Sequence, residues 1–579
     1  MSEKVEITKS KLDVLANAIA LRADVSTCMT ISGMQSAVST MYNSGEYNGI
    51  RDGLLFKTYS GSINMPSVSS VIPYMFYGFS NIQSISFPDA VSVGSYAFYG
   101  CKSLSDVNLD SATEIDNYAF KGCSKLSHIS LGSATKIGSG AFEGLTKLTL
   151  SNSTISYAGE RAFYGCKSIG SEAFLHNGAL KSFGNYAFAN CQSLTSIVVD
   201  GALLAEGAFQ SCEYLKSASF GSTTRTQEGE TWTVYTSRIY SSTFQDCYDL
   251  SSLSLGVDSL GSDVKIRHVG EFAFYGCHSL DFGNLLGELE HVGNYAFEGT
   301  GVSSVDFGSY LSYIGGRAFF GCASLSRIGM SSYLYSVQIG QQAFDRCTAM
   351  TEASFPDCIK EVDAYAFRSC YYLSSINLAG CKKIATSAFH SCMRLEGQIS
   401  IPLCSEIGSQ AFRGCSKITA AYMPGITYLT AGVFSGCQSL SEVYIPNVSF
   451  VSYAAFNGCS GLKELSFPYG QRCSLYSWAF AACTGFSRVV LPSIYNIQSM
   501  AFNACTNLTS VYLLYRSTSL VLLSSSNAFS GTKIKSQGTI YVPSSMYSSY
   551  LTAPQWSYFA SRIVSMTNEE IDEFLNIDT

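Results

Sequence analysis

The fold class that this sequence predicts is a β-solenoid, and three observations predict it. Ala-Phe, or a close variant, recurs along most of the 579 residues. Its Phe falls at 76, 98, 120, 142, 163, 188, 209, 244, 274, 297, 319, 344, 367, 389, 412, 434, 456, 480, 502 and 529, most of them 21 to 25 residues apart. After nearly every mark come x-Gly/Ser-Cys and a Leu-x-x-Ile-x-Leu run. A fixed period of this size marks a repeat array, in which each unit buries its apolar face only against its neighbours. Twenty marks predict about 20 coils.

Residues 1–45 precede the repeats. Leu12, Leu15, Ala16, Ile19 and Ala20 fall on one helical face, with Thr8 or Ser10 as a cap. Ile31, Met34, Val38 and Met41 suggest a second, shorter helix behind a Ser32-x-x-Gln35 capping box. A small helical hairpin follows. It either closes the first coil or docks the chain onto a larger assembly through Leu12, Leu15 and Ile19.

The repeats occupy 46–545. In Asp106-Val107-Asn108-Leu109 the apolar and polar residues alternate, which is the period of a strand with one buried face. A strand of about three to five residues is unstable alone and must stack beside its copies in a parallel sheet. Ile137-Gly138, Val292-Gly293, Ile314-Gly315, Ile339-Gly340 and Ile407-Gly408 precede their Ala-Phe marks. Gly there serves a positive φ or a close backbone approach. The Phe side chains are expected to point inward and stack. Sixteen of the 21 cysteines stand three residues after a repeat Phe, where other coils hold Phe79, Leu145, Thr300 and Thr532. A slot that accepts all four residue types is a packing slot, so the expectation is reduced, buried thiols. Cys358, Cys381 and Cys404 form a second expected column.

Ile-Gly…Ala-Phe-x-Gly-Cys-x-x-Leu-x-x-Ile-x-Leu-Pro, repeated across about residues 64–545, resembles the BspA-like class of leucine-rich repeats. The resemblance implies a right-handed leucine-rich-repeat solenoid with its Leu-x-x-Ile-x-Leu strands on one face. It also implies a binding or adhesion role at a surface. Residues 540–563 resemble the end-cap that follows such arrays, and Thr567-x-x-Glu570 opens a short acidic helix, so 546–579 is expected to be a helical C-terminal cap. Residues 7–19 are similar to short N-terminal helices of bacteriophage and prophage tail and fibre proteins.

Two coils are long, with insertions near 221–241 and 256–268. The first contains Arg225, Glu228, Glu230 and Trp232 in alternation around Gly229, which predicts a protruding β-hairpin and a candidate binding loop. On the strand face, the exposed slots hold Asp106, Asn108, His128, Arg327, Glu352, Tyr422, Glu442, Tyr444, Glu464, Arg488 and Tyr512. Aromatics flanked by charges have the composition of a recognition patch, although strands favour aromatics anyway.

A net charge of −7 gives no general basic field for nucleic acid. No apolar run reaches membrane-spanning length, and the first residues lack a secretory pattern. No nucleophile elbow, zinc-protease helix motif or phosphate loop is present, and no Cys-x-x-Cys. His390 with Cys392, and Cys277-His278 with His291, are the nearest approach to a ligand set. The expectation is therefore a non-enzymatic binding protein without cofactor or metal. Its partner is a host-surface protein or glycan, with other virion proteins held through residues 1–45, in a phage virion assembled in the host cytoplasm. A cell-surface or secreted adhesin of bacterium or protist, exported by an unseen route, and a structural spacer without receptor stay open as alternatives, as does an oligomer.

Overall fold

The structure is a computed structural model. It describes residues 61–577, apart from 65, 67, 132, 151–153, 175–179, 200–203, 222, 228–229, 235–236, 257–263, 281, 284, 331, 334, 465–466, 468–471 and 515–518. The expected N-terminal hairpin, with Leu12, Leu15 and Ile19, lies outside the described residues, as does Glu228.

Two compact units divide the chain between Leu285 and Leu286. Each is β-solenoid: every regular coil gives one strand to a long-strand sheet, one to a short-strand sheet, and a turn arc that carries Ala-Phe. In the first unit Gly61–Asn64, Ile82–Ser86, Asp106–Asn108 and His128–Ser130 pair in parallel, in chain order. On the short-strand side, six strands from Ser70–Val71 to Ser182–Phe183 do the same. In the second unit the long-strand sides include Ser304–Phe307, Arg327–Met330, Glu352–Ser354 and Ser375–Ile376, then Gly397–Ser400, Ile418–Tyr422 and Glu442–Tyr444. Arg488–Val490, Ser510–Tyr512, Thr539–Pro543 and Ile563–Met566 follow.

The repeat Phe side chains are fully or almost fully buried and form one stack per unit. Neighbouring rings lie 5.0–5.7 Å apart in the first unit, from Phe76 to Phe274. They lie 4.9–5.6 Å apart in the second, from Phe297 to Phe529. Burying each Phe is worth about 1.5–3 kcal/mol, and this repeated term holds the coils together.

The arc has its own ladder. Tyr96, Phe98 and Gly100 donate their backbone N–H to Asn117, Ala119 and Lys121 of the next coil, at 2.9, 2.8 and 2.8 Å. The same three donations recur through both units. For alternate residues to face the next coil, the chain must reverse twice around each Phe. From Phe76 to Phe502 the residues two before and two after Phe therefore take a left-handed conformation. Tyr96 (φ 58°), Arg317 (φ 54°) and Trp478 (φ 63°) do so before it, and Arg346 (φ 64°) after it. For a residue with a Cβ this costs roughly 1–2 kcal/mol, which the ladder and the buried ring offset.

The Ile-Gly glycines answer to close approach, not to positive φ. A Cβ on Gly408 would stand 2.2 Å from the backbone N of Thr386 in the preceding coil, and one on Gly138 would stand 2.6 Å from that of Asn117.

The twenty described cysteines are all unpaired and buried. In the arc each thiol donates to the carbonyl of the preceding coil's Phe, as Cys101 to Phe76 at 3.1 Å and Cys505 to Phe480 at 3.1 Å. Where Thr replaces Cys, the hydroxyl donates to its own coil's Phe, as Thr300 to Phe297 at 2.9 Å. The slot is thus a hydrogen-bonding one as well as an apolar one. In the second column, Cys381 and Cys404 donate to Lys383 and Glu406 carbonyls at 3.2 Å each. Serine and threonine hydroxyls add outer ladders, as Ser105 to the Gln83 carbonyl and Thr351 to that of Ser326, both at 3.1 Å.

The first insertion is an antiparallel pair, Thr223–Gln227 with Glu230–Val234, that sets Arg225 opposite Trp232 and Gln227 opposite Glu230. The second expected insertion ends earlier than 268: Ile266–Val269 is a regular rung that pairs Arg238 with His268. At the C-terminus Trp556 and Phe559 close over Phe529, the last ring of the stack, at 6.3 and 5.7 Å. The helix Asn568–Ile577 follows, with Thr567 and Glu570 exchanging the two hydrogen bonds of a capping box at 2.7 and 3.2 Å.

Candidate recognition surface

Side chains alternate along each long strand, so the middle residue is buried and its neighbours face outward. Parallel pairing in register then lines up equivalent slots of successive coils. Asp106 and His128 stand side by side and exposed, with Asn108 beside Ser130. Asn108 is tied locally, its Oδ1 accepting from the Asp110 N–H at 3.2 Å. Arg327 sits between two carboxylates, at 2.9 Å from Asp306 and 3.9 Å from Glu352. Glu464 accepts from Arg488 at 3.2 Å. These exposed pairs largely neutralise one another and add little stability.

Tyr422 and Tyr444 occupy equivalent slots of adjoining strands, with Glu442 two residues before Tyr444. Their rings stack at 5.0 Å with planes 6° apart. They remain 37% and 52% exposed, which leaves apolar ring surface in solvent beside charge. Ser400 occupies the next slot beyond Tyr422 and is too small to cover its ring.

Tyr512 is placed differently. It stacks on Tyr541 at 4.4 Å and on Phe574 of the C-terminal helix at 4.5 Å. The three expected tyrosines are therefore an exposed pair and a separate, covered one. Tyr541, one period after Tyr512, and Phe574 were not among the residues that alternation singled out. The tyrosine repeat after the Ile540 slot was the available signal for the first; no local pattern signals the second.

The arc also carries aromatic columns that strand periodicity does not reveal. Tyr74, Tyr96 and Tyr118 stack at 5.0 and 5.1 Å, and Tyr77 on Tyr99 at 5.0 Å, with the Lys121 ammonium 5.3 Å from the Tyr118 ring. These rings spend their flat faces on each other. Nearby charges are paired across coils: Glu143 accepts from Lys121 and Arg161, both at 2.7 Å, and buried Asp345 accepts from Arg368.

Burial is the largest influence on the shifted thiols. It pushes the thiols of Cys212, Cys322 and Cys505 up to about 12. These are protonated structural groups, not nucleophiles. Burial, with Glu114 and Glu361 as neighbours, raises the Asp116 and Asp363 carboxyls. Burial, then Arg413 and Arg368, lowers His390, whose Nδ1 lies 3.1 Å from the Ser391 hydroxyl. Among the described residues no group of three or more His, Cys, Asp or Glu side chains is placed to hold a metal ion. No helix among them is long and apolar enough to cross a membrane.

The repeat geometry finds its counterpart in known proteins. The BspA type leucine rich repeat region (6 copies) matches residues 49–169, 133–251, 237–338, 337–463 and 427–551. The chain belongs to this BspA-type leucine-rich-repeat family. No curated protein matches it in sequence. Among solved structures, it is similar to a leucine-rich repeat protein from Bacteroides ovatus, at 16% identity over 88% of this chain and 94% of that one, with a TM-score of 0.25. A T. pallidum leucine-rich repeat protein is 27% identical over 32% of this chain and 78% of its own, with a TM-score of 0.25. A leucine-rich cell surface protein from Faecalibacterium prausnitzii is 17% identical over 78% and 86%, with a TM-score of 0.21. At these TM-scores the likenesses carry no argument; membership of the BspA-type family rests on the repeat match.

Proposed function

We propose that this BspA-type chain is a non-enzymatic recognition protein that binds a host-surface protein or glycan through its long-strand face. One observation carries the reading: Tyr422 and Tyr444 present stacked rings that stay exposed beside Glu442, whereas Tyr512 on the long-strand side is held between Tyr541 and Phe574. Aromatic rings with a polar tip give large contact area at low entropic cost, to a protein or to a sugar ring. The family supports a binding role rather than a chemical one.

Labelled full-length chain should bind intact host cells or a glycan array, and Tyr422→Ser with Tyr444→Ser should cut that binding at least tenfold while leaving the far-UV spectrum unchanged. Undiminished binding would assign recognition to another face; no binding by the unaltered chain would favour the spacer reading. The virion setting is part of the proposal and rests on residues 7–19, outside the described residues. Mass spectrometry of purified phage particles should find the chain there; finding it in a cell-surface fraction instead would replace the virion setting with the adhesin one.

A further inference from the structure

The C-terminal helix does more than close the end of the array. The end of the ring stack is already sealed by Trp556 and Phe559 before the helix begins. The last strand, Ile563–Met566, pairs with Thr539–Pro543, which pairs with Ser510–Tyr512. Phe574 reaches back over these strands to Tyr512, two rungs in from the edge. The same helix buries Ile571 completely, so it is packed onto the array as well as stacked on Tyr512.

The contact is specific in shape. Tyr541 and Phe574 both lie nearly parallel to Tyr512, at 8° and 18°. Two rings at 4.4 and 4.5 Å cannot share one face of a third, so they take opposite faces. The slot beyond Tyr512 in the ladder belongs to Val490, which has no ring. Phe574 thus supplies the ring that the ladder lacks. The Arg488 guanidinium, which also donates to Glu464 at 3.2 Å in an exposed pair, lies 6.0 Å from that ring, while the helix bears Glu569, Glu570, Asp572 and Glu573. A cation at the site and acidic residues on its occupant are complementary in charge. The occupant is also weakly held by its own backbone, since isolated helices shorter than about 12–15 residues are marginal in water.

We infer that the Val490–Tyr512–Tyr541 end of the strand face is a docking site for an acidic helix presenting an aromatic ring, and that residues 567–577 are its resident occupant. A partner helix of the same chemistry gains the site by displacing them. The inference rests on the recognition reading only for its purpose; the docking itself is tested without any outside partner.

The test uses a fluorescent peptide of residues 567–579 added to the full-length chain. The unaltered chain holds its own helix in place and binds the peptide weakly. The full-length Phe574→Ala variant, whose own helix has lost its ring, should bind the peptide at least tenfold more tightly. A chain ending at Thr567 should do the same, so a folding defect in either variant does not leave the question open. A peptide carrying Phe574→Ala should lose about tenfold in affinity for both, and Arg488→Gln should weaken binding and flatten its salt dependence. Equal binding to the unaltered chain and both variants, or no binding to either variant, overturns the proposal. Loss or persistence of cell binding on changing Tyr422 and Tyr444 has no bearing on this result, so the two readings fail separately.

Discussion

Phe98 and Phe434 stack on the next coil's ring at 5.0 and 5.6 Å, and each is followed by Gly-Cys, although they lie in different units. On the long-strand face, the same two coils place Asn108 and Tyr444 in one equivalent slot. The arc repeats its chemistry; the face changes it. The difference follows from what each surface must satisfy. A buried arc residue such as the repeat Phe meets its own copy on both sides, within a ladder of N–H donors that leaves little room for another shape. A face residue meets solvent on one side, where most substitutions cost little.

The contrast should appear most strongly in alkali. Burial raises the arc thiols of Cys212, Cys322 and Cys505 above their unfolded values, so the stability they contribute is fully present below the unfolded thiol range near pH 8.5–9 and is lost as pH rises toward their folded value of about 12. Each such thiol withdraws about 1.4 kcal/mol per pH unit across that window. Cys212, Cys322 and Cys505 alone would remove about 4 kcal/mol in one unit, a large part of the 5–15 kcal/mol typical of a folded domain. Circular dichroism should therefore show a steep, cooperative loss of structure between about pH 9 and 11. A fold that persists through pH 11 would break the comparison at its base.

Single arc changes come next. Phe434→Ala should cost about 3–5 kcal/mol in urea unfolding, whereas Tyr444→Ala, which removes an exposed ring from a cross-strand pair, should cost about 0.2–1 kcal/mol. Similar values at the two sites would erase the distinction. Gly408→Ala should cost about 1–3 kcal/mol, because its Cβ meets backbone and not a movable side chain. Smallest of all, Cys437→Thr should stay within about 1.5 kcal/mol, since Thr300 already fills the equivalent slot by donating to its own coil's Phe carbonyl.

Much of the fold was legible because the period of Phe and the alternation around Val107 both report burial, and burial dictates residue type. The left-handed corners were not legible. Tyr96, Arg317 and Trp478 carry none of the usual signs of positive φ, and it is the neighbouring coil's carbonyls that hold them there. The glycines that looked like corners are instead points where two backbones touch. On the candidate site, alternation picked out Tyr422 and Tyr444 but could not separate them from Tyr512. What distinguishes Tyr512 is Phe574, brought to it by the return of the chain after the last strand, and no local pattern encodes a contact of that kind.

The arc ladder has a consequence for how such a chain could grow. Each coil offers the next one the same donors it received, in the same order. A gene duplication that inserts one whole period would find both junctions already matched, while the gain or loss of part of a period would misalign every rung at the join. Length in this molecule can change by entire coils at little cost, and each added coil would bring a fresh outward strand on which new specificity could be selected.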